Sequence, residues 1–200
     1  MDTKLDIDEF HGAVIALELM SEQLSKIVET GNPYFWPWVI VSLHNALQGF
    51  MVLALRGPNN LSVVTEKSAT EWLRAYESRD GRYPRQQLDK FLNLYEKIKS
   101  EAMNIYVNSR TFKPTGTQDR SVQQLNLWRN DFIHFVPAGW FITVDGFVQI
   151  VHDCLDIVTF LAFESGNVLW QRYPPLEGQT KAILQKAHSD LRILQQAYGA

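Results

Sequence analysis

Apolar residues recur at three- and four-residue steps along most of this 200-residue chain. That spacing turns one side of an α-helix toward a core, and no stretch alternates convincingly enough to require a strand. The pattern predicts seven helices, of which six cover about residues 4–30, 36–56, 68–79, 84–108, 144–164 and 177–198. The remaining helix begins after the polar loop 109–118 and ends before Pro137, because proline disfavours helical geometry in the preceding residue.

These helices favour an all-α fold, an up-and-down helical bundle that occupies residues 1–200 as a single domain. Residues 34–55 form the most apolar stretch, and apolar side chains cover nearly the whole circumference of its helix. Polar residues interrupt the stretch, and Pro37 lies near its start. We therefore interpret it as the central buried helix of the bundle rather than as a membrane span.

The candidate chemistry lies in the segment LWRNDFIHFVPAGW, residues 127–140. The core-facing side of its helix is a stripe of apolar residues, namely Val122, Leu125, Trp128, Phe132 and Phe135. At about 100° per residue, Asn130 and His134 point away from that stripe, to water or to a partner chain, and Arg129 lies nearer its edge. Arg129 and His134 are roughly 140° apart on an ideal helix. They converge on one ligand only if the helix ends or bends there, or if the arginine wraps round it.

The run RNDFIHF has an arginine, a polar residue, a short spacer and a histidine, and it resembles the motif of HEPN domains. The resemblance is close over the motif segment and extends to the rest of the chain in architecture alone. It implies a four-helix up-and-down core with additional helices, a homodimer, and metal-independent endoribonuclease activity of the kind found in toxins and defence effectors. Arg129, Asn130 and His134 would be the catalytic residues. Some HEPN domains cut nothing, so a non-catalytic module that binds a nucleotide or a protein partner is the alternative.

These residue types suit cleavage of RNA by attack of a 2′-hydroxyl on the adjacent phosphate. The reference pKa of histidine is near 6.5, so His134 can accept or donate a proton near neutral pH. The planar guanidinium of Arg129 can bind the charge that develops on the phosphoryl oxygens, and Asn130 can hold the histidine ring or the phosphate. In a purely structural interpretation, Arg129 instead pairs with Asp131 or with a carbonyl group at the helix end.

The net charge of −3 is unevenly distributed along the chain. Residues 66–129 carry 12 basic and eight acidic groups, whereas the segments on either side are acidic. A phosphate backbone requires such positive density, and Arg110, Lys113 and Arg120 are the candidate RNA-binding side chains near the motif helix. A helix surface of mixed, solvated charges explains the same composition. RNA or a nucleotide is the expected partner, and an antitoxin or regulatory protein is a further candidate.

A polar strip on the second helix is a candidate support for the motif. It includes His44 and Asn45, which we expect to approach the motif because buried polar groups require partners. The simpler interpretation is that they are satisfied between helices and take no part in chemistry.

A metal site is the main competing interpretation. His152 and Asp156 share a helix face at a spacing that suits metal ligands, and Asp153 lies beside them. No second pair of carboxylates accompanies them, and nothing resembles an HExxH run, so we expect no metal and no cofactor. His11 and His188 lie on bundle helices without a partner motif. The apolar neighbours of Cys154 indicate a buried, inert thiol.

Cysteine content and the N-terminal residues bear on the compartment. A single cysteine permits no internal disulfide, which fits a reducing environment. The first ten residues, MDTKLDIDEF, lack the basic and apolar regions of a signal peptide. We therefore expect a cytoplasmic protein without a membrane association.

Overall fold

The fold was obtained as a computed structural model, which describes residue 5 and residues 7–79, 81–134 and 142–199. Within these residues there are seven α-helices and no strand, so the predicted all-α class is confirmed. The helices are α1 (Glu9–Thr30), α2 (Trp36–Leu55), α3 (Glu66–Ser78), α4 (Phe91–Ile98), α5 (Gln118–His134), α6 (Asp145–Thr159) and α7 (Pro174–Tyr198).

The centre of the bundle is α2, as its apolar circumference predicts. It packs against α1, α4, α5 and α6, and 12 of its 20 residues are buried. On the outside of this core, α7 packs against both α1 and α6, and α6 also packs against α5. The short connection between α1 and α2 makes these two helices antiparallel neighbours.

Helices α1 and α2 approach each other closely at Gly49. A Cβ atom added there would lie 2.8 Å from the Cβ of Ala13. Glycine therefore lets the two backbones meet where any side chain would collide.

The first helix is shorter than predicted. It begins at Glu9 because the Asp8 side chain caps it, accepting a hydrogen bond from the backbone N–H of His11 at 2.9 Å. Ile7, which the apolar spacing placed inside the helix, lies before this cap and is 55% exposed. The cap residue therefore decides the start of α1, not the apolar period.

The fourth predicted helix, 84–108, is also wrong in extent, because α4 covers only Phe91–Ile98. Before it, Leu88 pairs with Val64 in an isolated β-bridge. After it, the Ser100 side chain accepts a hydrogen bond from Ala102 N–H and starts a separate 3-10 turn, Glu101–Met103. Serine side chains compete in this way with helix continuation. Phe91, Tyr95 and Ile98 are buried in α4, whereas Ala102 and Ile105 beyond it are only partly buried.

Two later helix boundaries also differ from the predicted ones. The sixth predicted helix, 144–164, ends as an α-helix at Thr159 and continues as a single π-helical turn, Phe160–Glu164. The last helix begins at Pro174 rather than near residue 177. Proline suits the first turn of a helix, because backbone N–H groups there have no acceptor within the helix and the missing N–H of proline loses no hydrogen bond.

A buried asparagine joins the end of α2 to the segments that follow α4 and α6. The side-chain amide of Asn167 donates to the carbonyl oxygens of Ala54 and Met103, each at 2.9 Å. Its oxygen accepts a hydrogen bond from the Ser109 hydroxyl at 2.5 Å. The adjacent Gly166 has φ +74°, and a Cβ there would lie 2.6 Å from the carbonyl oxygen of Asn108. This network fixes the loops that the chain forms where the apolar pattern predicted a continuous helix.

The start of α5 is attached to α6 through a buried carboxylate. Asp153 accepts hydrogen bonds from Thr117 at 2.6 Å, from Ser121 at 2.5 Å and from the Gln149 side chain at 2.7 Å. Three donors satisfy a buried carboxylate, so this contact orients α5 on the bundle.

In contrast, α3 contributes little to the core, since Ser68 is its only buried residue. It is held by the segment 83–88 through a hydrogen bond from Gln87 N–H to the Ser68 hydroxyl and through stacking of Trp72 on Tyr83. The predicted short helix at 68–79 therefore exists, but it lies outside the packed bundle.

Two helical stretches, Pro33–Leu55 and Asp145–Glu164, are long and apolar enough to cross a membrane by length and composition. In each, 61% of the most apolar window is buried inside the protein. Core helices of soluble proteins meet the same criterion, because they are apolar on all sides.

Candidate active site

The C-terminal half of α5 is fixed to the bundle by aromatic side chains. Trp128 stacks on Phe132 with ring centroids 5.7 Å apart, and both rings meet Phe147 of α6 edge-on. Trp36 of α2 packs against the same Phe147 ring at 5.4 Å. The predicted core stripe is confirmed at its described members, and its last member, Phe135, lies outside the described residues.

The three motif residues differ in exposure, and Asn130 is less exposed than the helical geometry predicts. Arg129 and Asn130 are half-buried, whereas His134 is exposed at the last position of α5. The Nη1 group of Arg129 donates to the side-chain oxygen of Asn130 at 3.0 Å. His134 makes no hydrogen bond or ion pair with any other described residue. Since α5 stays α-helical through His134, one chain does not bring Arg129 and His134 onto the same helix face.

The guanidinium of Arg129 is incompletely satisfied. Its Nε is buried and has no hydrogen-bond partner among the residues that the structure describes. Within the same residues it forms no ion pair, neither with Asp131 nor with another carboxylate. The pairing with Asp131, one of the two contacts that a structural role offered, is therefore not observed.

His44 lies beside the motif, as expected. Its Nε2 is 3.3 Å from the side-chain oxygen of Asn126 on α5, and its ring stacks on Phe91 at 3.9 Å. Burial lowers the pKa of His44 to about 4, and the positive charge of Arg129 acts in the same direction. The imidazole is therefore neutral at pH 7, and its buried Nδ1 has no partner in the described part of the chain.

Asn45, the other member of the predicted strip, is exposed and lines a groove of about 530 Å³. The walls of that groove include Glu9 and Gly12 of α1 and Val63. None of the motif residues lines it, so Asn45 does not share a pocket with them.

The three candidate phosphate-binding residues lie away from His134. Arg110, Lys113 and Arg120 are exposed, and none of their side chains pairs with another described residue. Arg120 and His134 are 14 residues apart on α5, which corresponds to about 21 Å along the helix axis. By contrast, Lys97 and Lys99 of the basic middle segment form ion pairs with carboxylates, as a mixed-charge surface predicts.

Asn126 is the residue at this site that the motif did not identify. It precedes Asn130 and His134 at four-residue steps, so the three polar residues follow one side of α5. That repeat of polar residues was present in the sequence, and it links the exposed motif to the buried His44.

The fold separates Asp153 from His152 and Asp156, the other residues of the competing metal interpretation. The carboxylate of Asp153 is committed to α5, and Cys154 is fully buried, which raises the pKa of its thiol. His152 and Asp156 remain paired, with Nδ1 and Oδ2 3.4 Å apart. His188 of α7 lies against His152, with ring centroids 5.6 Å apart. The sequence showed no partner motif for His188 because its neighbours come from another helix.

Comparisons with protein-family models, with curated proteins and with solved structures found no match to this chain.

Proposed function

We propose that this protein is a metal-independent endoribonuclease of HEPN type that cuts RNA by 2′-hydroxyl attack. The observation that carries the proposal is the combination, at one end of α5, of an incompletely satisfied guanidinium and an exposed imidazole. Arg129 has a buried N–H without a described partner, and His134 is fully available for a ligand. Such groups on the outward side of an anchored helix suit a phosphodiester substrate.

Arg129 would bind the scissile phosphate. Its Nη1 already donates to Asn130, which fixes the plane of the guanidinium. No carboxylate among the described residues neutralises it, so its charge is available to an anion. As the phosphorane forms, negative charge grows on the phosphoryl oxygens, and a prepositioned guanidinium stabilises that charge without reorganisation.

His134 would transfer protons. As a base, the imidazole removes the proton of the ribose 2′-hydroxyl, and the 2′-oxygen attacks the adjacent phosphorus. The bond from phosphorus to the 5′-oxygen breaks, and that oxygen receives a proton from an acid. The products are a 2′,3′-cyclic phosphate and a 5′-hydroxyl end. The requirement for a 2′-hydroxyl restricts the substrate to RNA.

A second copy of the chain would complete the site. Within one α-helix, Arg129 and His134 point roughly 140° apart, so one chain does not present both to one phosphate. Two α5 helices facing each other across a twofold axis would form two composite sites, each with Arg129 of one chain and His134 of the other. This homodimer also explains why His134 is exposed in the isolated chain.

The route of the RNA strand follows from the remaining basic groups. Arg110, Lys113 and Arg120 would contact backbone phosphates away from the cleavage point, since Arg120 lies about 21 Å from His134 along α5. Their substitution should weaken RNA binding and its salt dependence without abolishing cleavage at saturating RNA.

The first experiment is an RNA cleavage assay with tag-free protein in the presence of EDTA. Wild type should release fragments with 2′,3′-cyclic phosphate ends, and His134→Ala and Arg129→Ala should each reduce the rate by at least about 100-fold. His11→Ala, which removes an exposed histidine of α1, is the control and should cut at the wild-type rate.

Cleavage that persists in His134→Ala would assign the activity to another site or to a contaminant. Absence of cleavage by wild type, together with RNA or nucleotide binding that Arg129→Ala weakens, would favour the alternative. In that case the same guanidinium holds a nucleotide or an acidic group of a protein partner, and no bond is broken.

The biological role that fits such an activity is that of a cytoplasmic toxin or defence effector restrained by an antitoxin or regulatory protein. Expression of wild type should then slow growth, and His134→Ala should relieve the effect. Equal growth with both proteins would remove the toxin role while leaving the cleavage assay to decide the chemistry.

A further inference from the structure

A groove between α6 and α7 brings together three side chains that commonly bind metals. The groove has a volume of about 360 Å³ and is lined by Gln149, His152, His188 and Gln195, among others. Asp156 follows His152 by four residues on α6, so both face the same side of that helix. His188 enters from α7.

The ligand atoms of these residues are close to one another. One atom each from His152, Asp156 and His188 lies within 4.8 Å of the other two. Nδ1 of His152 and Oδ2 of Asp156 are 3.4 Å apart. Two ligand atoms at the usual distance from a tetrahedral zinc ion are separated by about 3.4 Å. Small side-chain rotations would bring all three ligand atoms to that separation.

We infer that His152, Asp156 and His188 form a binding site for a divalent transition-metal ion, best matched by Zn²⁺. Imidazole nitrogens with one carboxylate are ligands that zinc accepts, whereas Ca²⁺ and Mg²⁺ prefer oxygen ligands alone. Three protein ligands leave a fourth coordination position for water. The site is separate from the proposed nuclease and does not depend on it.

The neighbouring groups restrict the ligand set to these three residues. Asp153 points to α5, where Thr117 and Ser121 occupy its carboxylate, and Cys154 is buried in the core. Arg192 also lines the groove, and its positive charge opposes a bound cation. An ion at this position would therefore bind more weakly than at the same ligands without that arginine.

A bound ion would cross-link α6 to α7. The two helices come from distant parts of the chain, and the ion would join two ligands of α6 to one ligand of α7. The metal would then stabilise the native state, and above the dissociation constant this stabilisation would grow with the logarithm of the metal concentration, because the ligands are assembled only after folding.

The test is calorimetric titration of tag-free, metal-stripped protein with ZnCl₂. Wild type should bind one ion per chain, and His152→Gln and His188→Gln should each weaken binding by at least roughly tenfold. His11→Gln is the matched control, because His11 pairs with a single carboxylate, Asp8, at 2.7 Å and has no second histidine ligand beside it. That variant should bind zinc as wild type does.

Two further readouts separate ligation from folding. Zn²⁺ should raise the melting temperature of wild type but not of His152→Gln, an exposed position where substitution leaves the metal-free protein folded. Arg192→Gln should tighten zinc binding by several-fold. Equal binding by wild type and both ligand variants, equal weakening by His11→Gln, or no binding at all would overturn the inference.

Discussion

Arg129 shows at the scale of one residue how a binding role opposes stability. A buried N–H without a partner lowers stability by about 1–3 kcal/mol. The Nε of Arg129 is such a group within the described residues, and Asn130 satisfies only another nitrogen of the same guanidinium. A residue kept for the fold alone would not require this charge.

Replacement of Arg129 by methionine therefore tests what the charge is for. Methionine has a similar length and no N–H group, so Arg129→Met should raise the free energy of unfolding by about 1 kcal/mol and abolish RNA cleavage. Chemical denaturation measures the first effect, and the EDTA assay measures the second. A loss of stability in this variant would assign Arg129 a structural role instead.

His44 gives a pH-dependent contribution to stability. Burial lowers its pKa to about 4, below the value near 6.5 expected in the unfolded chain. The unfolded state therefore binds more protons between these values, and stability is complete above pH 6.5 and is lost as the pH falls toward 4.

The corresponding variant is His44→Gln, which does not titrate. Between pH 7 and pH 4.5, the wild-type free energy of unfolding should fall by about 2 kcal/mol more than that of the variant. Urea titrations at the two pH values provide the measurement. Parallel losses in both proteins would show that His44 is not responsible.

At the scale of helices, the contact between α1 and α2 leads to a paired prediction. Gly49→Ala would place a Cβ 2.8 Å from that of Ala13, so the helices must separate, and stability should fall by about 1–3 kcal/mol. Gly12→Ala is the control, because a Cβ there has no atom within 4 Å. It should leave stability unchanged or raise it by roughly 0.5–1 kcal/mol through helix propensity. Thermal unfolding of both variants measures the difference.

The helices also show how far the sequence could be interpreted. The position of α2 was predictable because its burial on all sides follows from composition within one segment. The extent of α4 was not, because Asn167, distant in sequence, organises the loops that replace the predicted helix. The same limit applies to His188, whose ligand partners lie on α6 and become neighbours only after folding.

The candidate active site was predictable to a similar degree. Helical periodicity correctly indicated that Asn130 and His134 leave the core, because both lie on the helix that carries the pattern. It could not indicate that Asn126 reaches His44, since that contact depends on the packing of α5 against α2. The use of the motif residues of two chains in one active site stays a prediction.

At the scale of the whole molecule, the proposed dimer predicts complementation between inactive variants. Equal amounts of Arg129→Ala and His134→Ala, unfolded together and refolded, should form mixed dimers in which one composite site has both residues. About one quarter of the wild-type cleavage rate should return, because half of the dimers are mixed and each has one of two sites intact.

The control is a mixture of two His134→Ala preparations treated identically, which should stay inactive. A single-chain site would give no recovery in the mixed sample either, and a monomer on size-exclusion chromatography would agree with that result. Recovery in the mixture and not in the control would require that the site is shared between chains.

The sparse attachment of α3 has a consequence for how the protein can vary. A helix that supplies one buried residue can unwind while the rest of the protein stays folded, because unwinding exposes little apolar surface to water. Insertions, fusions and altered surface chemistry would be accommodated in Glu66–Ser78 more readily than elsewhere in the bundle. The molecule thus combines a packed bundle with an appendage that can change independently of the core.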